Sequence, residues 1–272
     1  MGKKLEYKVK ESSALTSFLA AKVVGLSRAK ADILVKRGEV RVNGTRVKAN
    51  VKLNSGDCVS VFVPNAVTEE IPLKTIYDDE NIIVFDKPKH TAYDVLPQMY
   101  GETLYAVHRL DANTTGVIVF AKTEKAKSEL ESAFADRRTV KVYEAVVSPA
   151  PKADADTLTA YTEFVDGTAK VSDKPFLGGK TMITEYSVIE RFGNCALVRV
   201  MPHTGRTHQI RAHFGHIGCP IVGDGKYNRG KGDKDGQMLS AVELTFFGIE
   251  GELSYLNGKS FKAERGFDTQ SL

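Results

Sequence analysis

Two apolar runs separated by a polar loop constrain this chain more than any other stretch. Tyr105–Val107 and Gly116–Ala121 are short, rich in Val and aromatic residues, and bounded by turn chemistry, so each reads as a buried strand. Between them lie His108-Arg109-Leu110-Asp111 and then Ala-Asn-Thr-Thr, all loop formers, with Gly116 free to take a backbone angle that other residues resist. A carboxylate delivered by a loop from a rigid sheet is a common place to find chemistry. A lone loop aspartate more often caps its own turn. The meaning of Asp111 therefore depends on what the rest of the chain supplies.

The chain has 272 residues, enough for one large domain or two smaller ones with a sizeable core. Its 42% hydrophobic and 26% charged content is ordinary for a soluble globular protein. Cys58, Cys195 and Cys219 are widely spaced, which makes neither a disulfide framework nor a zinc signature and implies a reducing compartment. The first residues, MGKKLEYKVK, lack an apolar signal core, and no run approaches the ~18 apolar residues that span a bilayer. A cytoplasmic protein without membrane association is expected. The net charge of +4 hides an asymmetry: residues 1–63 carry 13 Lys and Arg against 5 Asp and Glu, and the remainder carries 25 against 29. A basic first quarter on a mildly acidic remainder suggests a separate module for a polyanion.

That first quarter has its own punctuation. Residues 1–11 read as an extended lead-in or edge strand. Leu15, Phe18, Leu19 and Val23 fall at helical spacing before Gly25, Ser27 is a good N-cap for a second helix, and Gly38 suits the position just past its end. Val40–Val42 runs into an Asn43-Gly44 turn and returns through Thr45–Val47, and Lys52–Val63 adds a turn and a further strand. Pro64–Pro72 is polar with prolines at both ends and reads as a linker. The expected domains are thus 1–63 and 73–272, joined by 64–72.

In the second domain, Ile82–Phe85 is a buried strand stopped by Asp86-Lys87-Pro88. Glu124–Arg138 is an amphipathic helix, with Thr123 as its cap and Ala126, Leu130, Ala133 and Phe134 on one face. Lys141–Ala145, Thr184–Ile189 and Ala196–Val200 read as strands, residues 149–180 as an irregular connection with short strands, and Leu239–Arg265 as strands closing the sheet. Four of the six histidines crowd into His203, His208, His213 and His216. A metal cluster is the tempting explanation, but His208 and His213 are five apart and do not stack on one helical face as ligands four apart do. No metal site is expected. Gly205 instead makes a tight turn, and Thr207 caps a helix that ends at Gly218.

The run His108-Arg109-Leu110-Asp111 with Thr114-Thr115-Gly116 resembles the active-site motif of the RluA-type pseudouridine synthases, in particular the RluD-like, large-subunit ribosomal RNA type. Lys87-Pro88, Gly205–His213 and Pro220–Tyr227 resemble further motifs of that family, in the same order. Residues 13–63 resemble the S-four (alpha-L) RNA-binding domain. The resemblance implies an α+β chain: a small RNA-binding domain, then a mainly antiparallel, mixed-sheet synthase domain with a central cleft. It also implies that Asp111 is catalytic, that Arg211 pairs with it, and that Tyr143 stacks beside the target uracil. Arg28, Lys30, Lys36, Arg37 and Arg41 would meet the RNA backbone, giving affinity with little sequence reading. His108 and Arg109 would position the loop or the flanking RNA, with Arg206 and His208 as further RNA contacts. Three departures touch the substrate more than the reaction: Thr115 for the usual Ser, a shortened Lys89–Gly101, and Leu239-Ser240-Ala241 where the family has Leu-His-Ala.

The residue types suit the implied chemistry. Pseudouridine formation breaks the N1 glycosidic bond, turns the uracil and rejoins it through C5, without redox change, hydrolysis or energy input. It calls for neither metal nor nucleotide cofactor. It does call for a carboxylate ionised at neutral pH inside a closed pocket, which burial opposes and a neighbouring guanidinium restores. The carboxylate's route, by attack on the ring, attack on the sugar or elimination, stays open, as does a role for Tyr143 as a base toward the sugar. The uracil must leave its stack, and an aromatic face then holds it. RNA is the expected partner, ribosomal RNA ahead of transfer RNA, with no obligate protein partner and a monomeric enzyme. An inactive RNA-binding relative should have lost Asp111, Tyr143 or Arg211, and a metal-dependent nuclease built on the histidines would stop in EDTA.

Overall fold

A computed structural model describes residues 3–63, 73–100, 103–228 and 236–269. They fall into two compact units, one drawn from Met1–Pro72 and His90–Tyr100, the other from Leu73–Lys89 and Gly101–Leu272. The linker expected at 64–72 lies outside the described residues. Residues 90–100, expected with everything from 73 onward, belong to the first unit instead.

The first unit comprises β1 (Lys3–Lys8), β2 (Ser13–Ala14), α1 (Leu15–Lys22), α2 (Arg28–Lys36), β3 (Val40–Val42), β4 (Thr45–Val47), β5 (Lys52–Leu53) and β6 (Cys58–Val63). Four strands form an antiparallel sheet in the order β1-β6-β3-β4, and β2 pairs with β5. The expected punctuation is present. The Ser27 side chain accepts the Lys30 N–H, capping α2. Asn43 and Gly44 have φ of 50° and 79°, the left-handed pair that a two-residue hairpin turn needs. Val40, Val59, Val61 and Val63 alternate inward onto Leu15, Leu19, Leu34 and Val35 of the helices. The opposite face of the sheet is exposed, and Arg41 lies there. In the returning segment, a turn at Tyr93–Val95 leads into α3 (Leu96–Tyr100). Ala92 N–H donates to Ala21 O, and Lys22 pairs with Asp94.

The second unit begins with a hairpin of β7 (Lys74–Asp78) and β8 (Ile82–Lys87). It continues through β9 (Tyr105–Ala106), β10 (Thr115–Ala121), α4 (Glu124–Ala135), β11 (Thr139–Val147), β12 (Ala155–Val165), β13 (Thr168–Ser172), β14 (Lys180–Phe192), β15 (Cys195–Pro202), α5 (Gln209–His216), β16 (Leu239–Phe246) and β17 (Ser260–Lys262). The sheet runs β13-β12-β14-β15-β11-β16-β10-β8-β7, with β17 on β16 and β9 on β10. Only β10 and β16, among its described pairs, are parallel. The chain is thus α+β with a mixed, mainly antiparallel sheet, as expected. All seven residues of β10 are buried, which explains an apolar run without alternation in the middle of the sheet. One core joins β8, β10, β16 and β17 to α4, and a second joins β11, β14, β15 and the first residue of β16 to α5.

Three expectations need correction. Residues 149–180 hold the eleven-residue β12 as well as β13, with a weak apolar signal because only Ala160 and Thr162 of β12 are buried. The tail strand β16 does not close the sheet but lies inside it, between β11 and β10. Thr207 does not cap α5: its N-cap is His208, held at φ 56° and ψ 22°. The start of α5 is tethered instead by the Gln209 side chain, which takes hydrogen bonds from Thr204 Oγ1 and Arg206 N–H and donates to Ile183 O and Thr184 Oγ1.

Candidate active site

The loop between β9 and β10 brings Asp111 to the end of the sheet where β10 and β16 meet. Their parallel pairing lasts for Thr115–Ser240 and Gly116–Ala241 alone. Gly116 makes it possible, because a Cβ built there would lie 2.1 Å from Ala241 O, and its φ is +103°. The loop is held from behind by His108, whose Nε2 accepts the Val119 N–H at 3.0 Å and whose ring stacks on Phe134 at 4.5 Å. Burial, helped by Lys141, pulls the pKa of His108 down to about 3. It is therefore neutral and supports the loop, and offers no cation to RNA.

Arg211 on α5 reaches Asp111 across 100 positions of sequence, with Nη1 at 2.6 Å from Oδ2. Its other edge grips Asp224, Nε to Oδ2 at 2.7 Å and Nη2 to Oδ1 at 3.0 Å. The side chain of Asp224 is wholly buried and also accepts the N–H groups of Lys226 and Tyr227. Asp224 thus fixes the fork, and the remaining Nη1 points at Asp111. A lysine has no such geometry. Burial raises the pKa of Asp111, but His208, Arg211 and Arg109 outweigh it and hold the carboxyl below its ordinary range. Asp224 is held low in the same way, by Arg211 and its two backbone donors against burial. Burial opposes the charge of Arg211, and the two carboxylates more than offset it, so the guanidinium is held above its usual pKa.

Two more groups surround the carboxylate. His208 places Nε2 3.8 Å from Asp111 Oδ1 while Nδ1 meets the Tyr227 hydroxyl at 2.9 Å. Its left-handed backbone aims the ring inward, where it meets Phe164 and Tyr227 edge-on. Lys87, at the end of β8, is fully buried and donates to Pro88 O at 2.9 Å and Ala112 O at 3.0 Å, tying the Asp111 loop to the neighbouring strand. Burial lowers its pKa to about 7, against the pull of Asp111 and Asp86.

Asp111, Arg211 and His208 open onto a cavity of about 400 Å³ whose walls also include Tyr143, Lys141 and Arg206, within the size range of small-ligand sites. Tyr143 stands on β11 beside a register shift between Val142 and Tyr143. No hydrogen bond ties its hydroxyl to another described residue, so it is not a core tyrosine anchored to backbone. Burial and the charge of Asp111 push its pKa up, which disfavours a phenolate base and leaves a neutral aromatic face.

The structure brings Asp111, Tyr143, Arg211, Arg109, Arg206 and His208 to one cavity, with His108 in its wall. Arg206 sits in the wall of this cavity with Nε bonded to Thr181 O. Arg28, Lys30, Lys36 and Arg37 belong to the first unit, on and just after α2, where Lys36 pairs with Asp32. The four clustered histidines turn to different neighbours: His203 to Glu185, His208 to Tyr227, His213 to Thr184 and His216 to Asp173. Asp224, Lys87 and Lys141 escape a sequence reading as site residues. Lys87 and Asp224 lie in the Lys87-Pro88 and Pro220–Tyr227 segments that resemble family motifs, but nothing in those segments marks either side chain as part of the site.

Comparison with known proteins identifies the family. The family described as RNA pseudouridylate synthase matches residues 81–216, and the S4 domain matches residues 15–59. An uncharacterized RNA pseudouridine synthase of Bacillus subtilis, YlyB, is 33% identical over 87% of this chain and 86% of its own length. Ribosomal large subunit pseudouridine synthase C of Vibrio cholerae is 30% identical, over 87% of this chain and 81% of its own. Among solved structures, human RNA pseudouridylate synthase domain containing 4 has a TM-score of 0.58 at 24% identity, over 71% of this chain and 88% of its own, which is a likeness of fold.

Proposed function

The chain belongs to the RNA pseudouridylate synthase family, and from that premise we propose that it converts selected uridines of large-subunit ribosomal RNA to pseudouridine, with Asp111 as the catalytic carboxylate. The observation that carries this reading is the buried chain of charges from Asp224 through Arg211 to Asp111, ending in the cavity beside Tyr143. A carboxylate held ionised in a partly buried cleft is the group that glycosidic cleavage of uridine needs. The ribosomal substrate is supported by the named activity of the Vibrio cholerae relative.

In this reading the RNA presents a flipped uridine, and Tyr143 receives the base against its ring as a neutral aromatic. Asp111 acts on the uridine while the N1–C1′ bond breaks. The uracil turns, C5 bonds to C1′, and the proton displaced from C5 is balanced by one gained at N1. Arg211 orients Asp111 and keeps it charged. Arg109 and Arg206 serve the flanking phosphates, and α2, with Arg28, Lys30, Lys36 and Arg37, anchors RNA at the first unit. Two domains, 1–63 for anchoring and 73–272 for the reaction, divide this labour, with residues 90–100 as an excursion of the second chain segment to the first unit.

Mapping pseudouridine in total RNA from cells with and without the gene tests the reading. Loss of one or more large-subunit sites on deletion is expected. An unchanged ribosomal map with a changed transfer RNA map would move the substrate, and no change in any RNA would end the assignment.

A further inference from the structure

The helices cover one face of the first unit's four-stranded sheet, and the other face is a shallow basic groove of about 710 Å³. Its rows follow from the register. Glu6, Ser60, Arg41 and Arg46 lie side by side across β1, β6, β3 and β4, and Lys4 lies opposite Phe62 in the next row. Lys8 and Cys58 form the row on the other side. The inward neighbours Val59, Val61 and Val40 are buried, so this alternation turns the charged residues outward.

Two features set this face apart from a merely solvated one. Arg41 and Arg46 are directly opposite each other, a like-charge pair that weakens a ladder unless an anion lies between them. Arg41 donates to Gly44 O, and no described carboxylate pairs with Arg41, Arg46 or Lys8, while Glu6 is already paired with Lys4. The second feature is Phe62, which is 41% exposed near the end of β6, with Lys4 and Glu39 on either side in its own row and Arg41 and Arg46 in the next. Its side chain contributes nothing to the core on the other side.

We propose that this outer face is a second RNA surface, separate from α2, that holds a single-stranded segment: a phosphate between Arg41 and Arg46, and an unpaired base on Phe62. Two guanidinium groups bind phosphate with fixed geometry, and an aromatic ring stacks any base without reading it. Phe62 lies one pleat repeat, about 6.8 Å, from the row of Arg41, a separation suited to a phosphate and its own base. Paired bases cannot reach an aromatic ring on a sheet, so the ligand is a loop or strand, not a duplex. The inference rests on the reading of the substrate as RNA, and it adds a place where flanking single-stranded RNA is held away from the reacting uridine.

The test uses the full chain, a fluorescent oligouridylate of about 12 nucleotides, within the span a sheet platform covers, and a blunt-ended RNA duplex, followed by anisotropy across salt. Phe62→Ala should weaken oligouridylate binding about 5- to 150-fold with the salt slope unchanged, and leave binding of the duplex unaffected. Arg41→Gln with Arg46→Gln should lower the slope of log affinity against log salt by about 0.7 per lost phosphate. All three positions are exposed, and circular dichroism checks that the variants fold. Unchanged affinity and slope in both variants, or no measurable oligouridylate binding by the wild type, overturns the proposal. So does polyglutamate competing as well as RNA while Phe62→Ala has no effect, which would mark an acidic-protein surface. Pseudouridine formation by the wild type in cellular RNA is read alongside. If it occurs and the sheet ignores oligouridylate, only this inference fails; if it is absent, the functional reading fails.

Discussion

Replacing Arg211 by Met removes the centre of the charge chain while keeping the length of the side chain. Two carboxylates then lose their cation at once, Asp224 with no exposed side-chain surface and Asp111 with 20%. Breaking a buried ion pair from one side costs about 3–5 kcal/mol, so the single variant should be markedly less stable. Adding Asp224→Asn removes the more deeply buried orphan charge and should recover part of that loss. Asp111 stays without its Arg211 partner in both variants, which separates stability from chemistry. In the wild type its pKa lies below the ordinary carboxylate range, so it is ionised throughout the neutral region. Without Arg211, desolvation is opposed only by His208 and Arg109, and the pKa rises. Each unit of rise corresponds to about 1.4 kcal/mol between the two protonation states, and once the pKa lies well above the working pH each further unit lowers the ionised fraction tenfold. The double variant should thus be slowest at low pH and recover as pH rises. The assay is the single-turnover rate of tritium release from uridine-labelled RNA, with enzyme in excess, across pH. A profile matching the wild type in height and shape would refute the pairing, and a uniform loss at every pH would make Arg211 an orienting group alone.

Other consequences are as direct. Gly116→Ala should unfold the β10–β16 contact, because its Cβ would sit 2.1 Å from Ala241 O, and thermal melting should show a large drop or no folded protein. Lys87→Met should orphan the Pro88 and Ala112 carbonyls, costing about 1–3 kcal/mol, and slow turnover by loosening the Asp111 loop. It also carries a pH signature. The folded pKa of Lys87 is near 7 and the unfolded value near the usual ~10.4, so between these the unfolded chain binds more protons and Lys87 makes stability rise with pH. Denaturation of wild type and variant from pH 7 to 10 should show that rise only in the wild type. Neutralising Arg28, Lys30 and Arg37 together should weaken RNA binding and flatten its salt slope by about 0.7–0.9 per lost phosphate contact, read by filter binding. An unchanged slope would remove α2 from the RNA interface.

Much of this was legible before the fold was known, because the signals were local. Ser27 and Thr123 accept hydrogen bonds at the helix starts that their types and positions announce, and Asn43-Gly44 turns the hairpin it should. The apolar run at Gly116–Ala121 is buried because β10 has strands on both sides and side chains buried on both faces. What was not legible depends on distant partners. Asp224 acquires its meaning from Arg211, and Lys87 is buried because two carbonyls and the charge of Asp111 receive it. The central place of β16 rests on pairing with β10 more than a hundred residues earlier, where no periodicity announces a partner. β12 hides because its surface is mostly polar and exposed, and the left-handed His208 hides because few non-glycine residues take that conformation and no local signal marks which one does.

The role of Asp111 is tested most directly by restoring the gene to a deletion strain as wild type or as Asp111→Asn, and mapping pseudouridine in the large-subunit ribosomal RNA. Asn keeps the shape of the side chain and loses its charge. The wild-type gene should restore the missing sites, and Asp111→Asn should restore none while the purified variant still binds RNA within a few-fold of wild type. Sites restored by Asp111→Asn to wild-type levels would contradict the catalytic assignment.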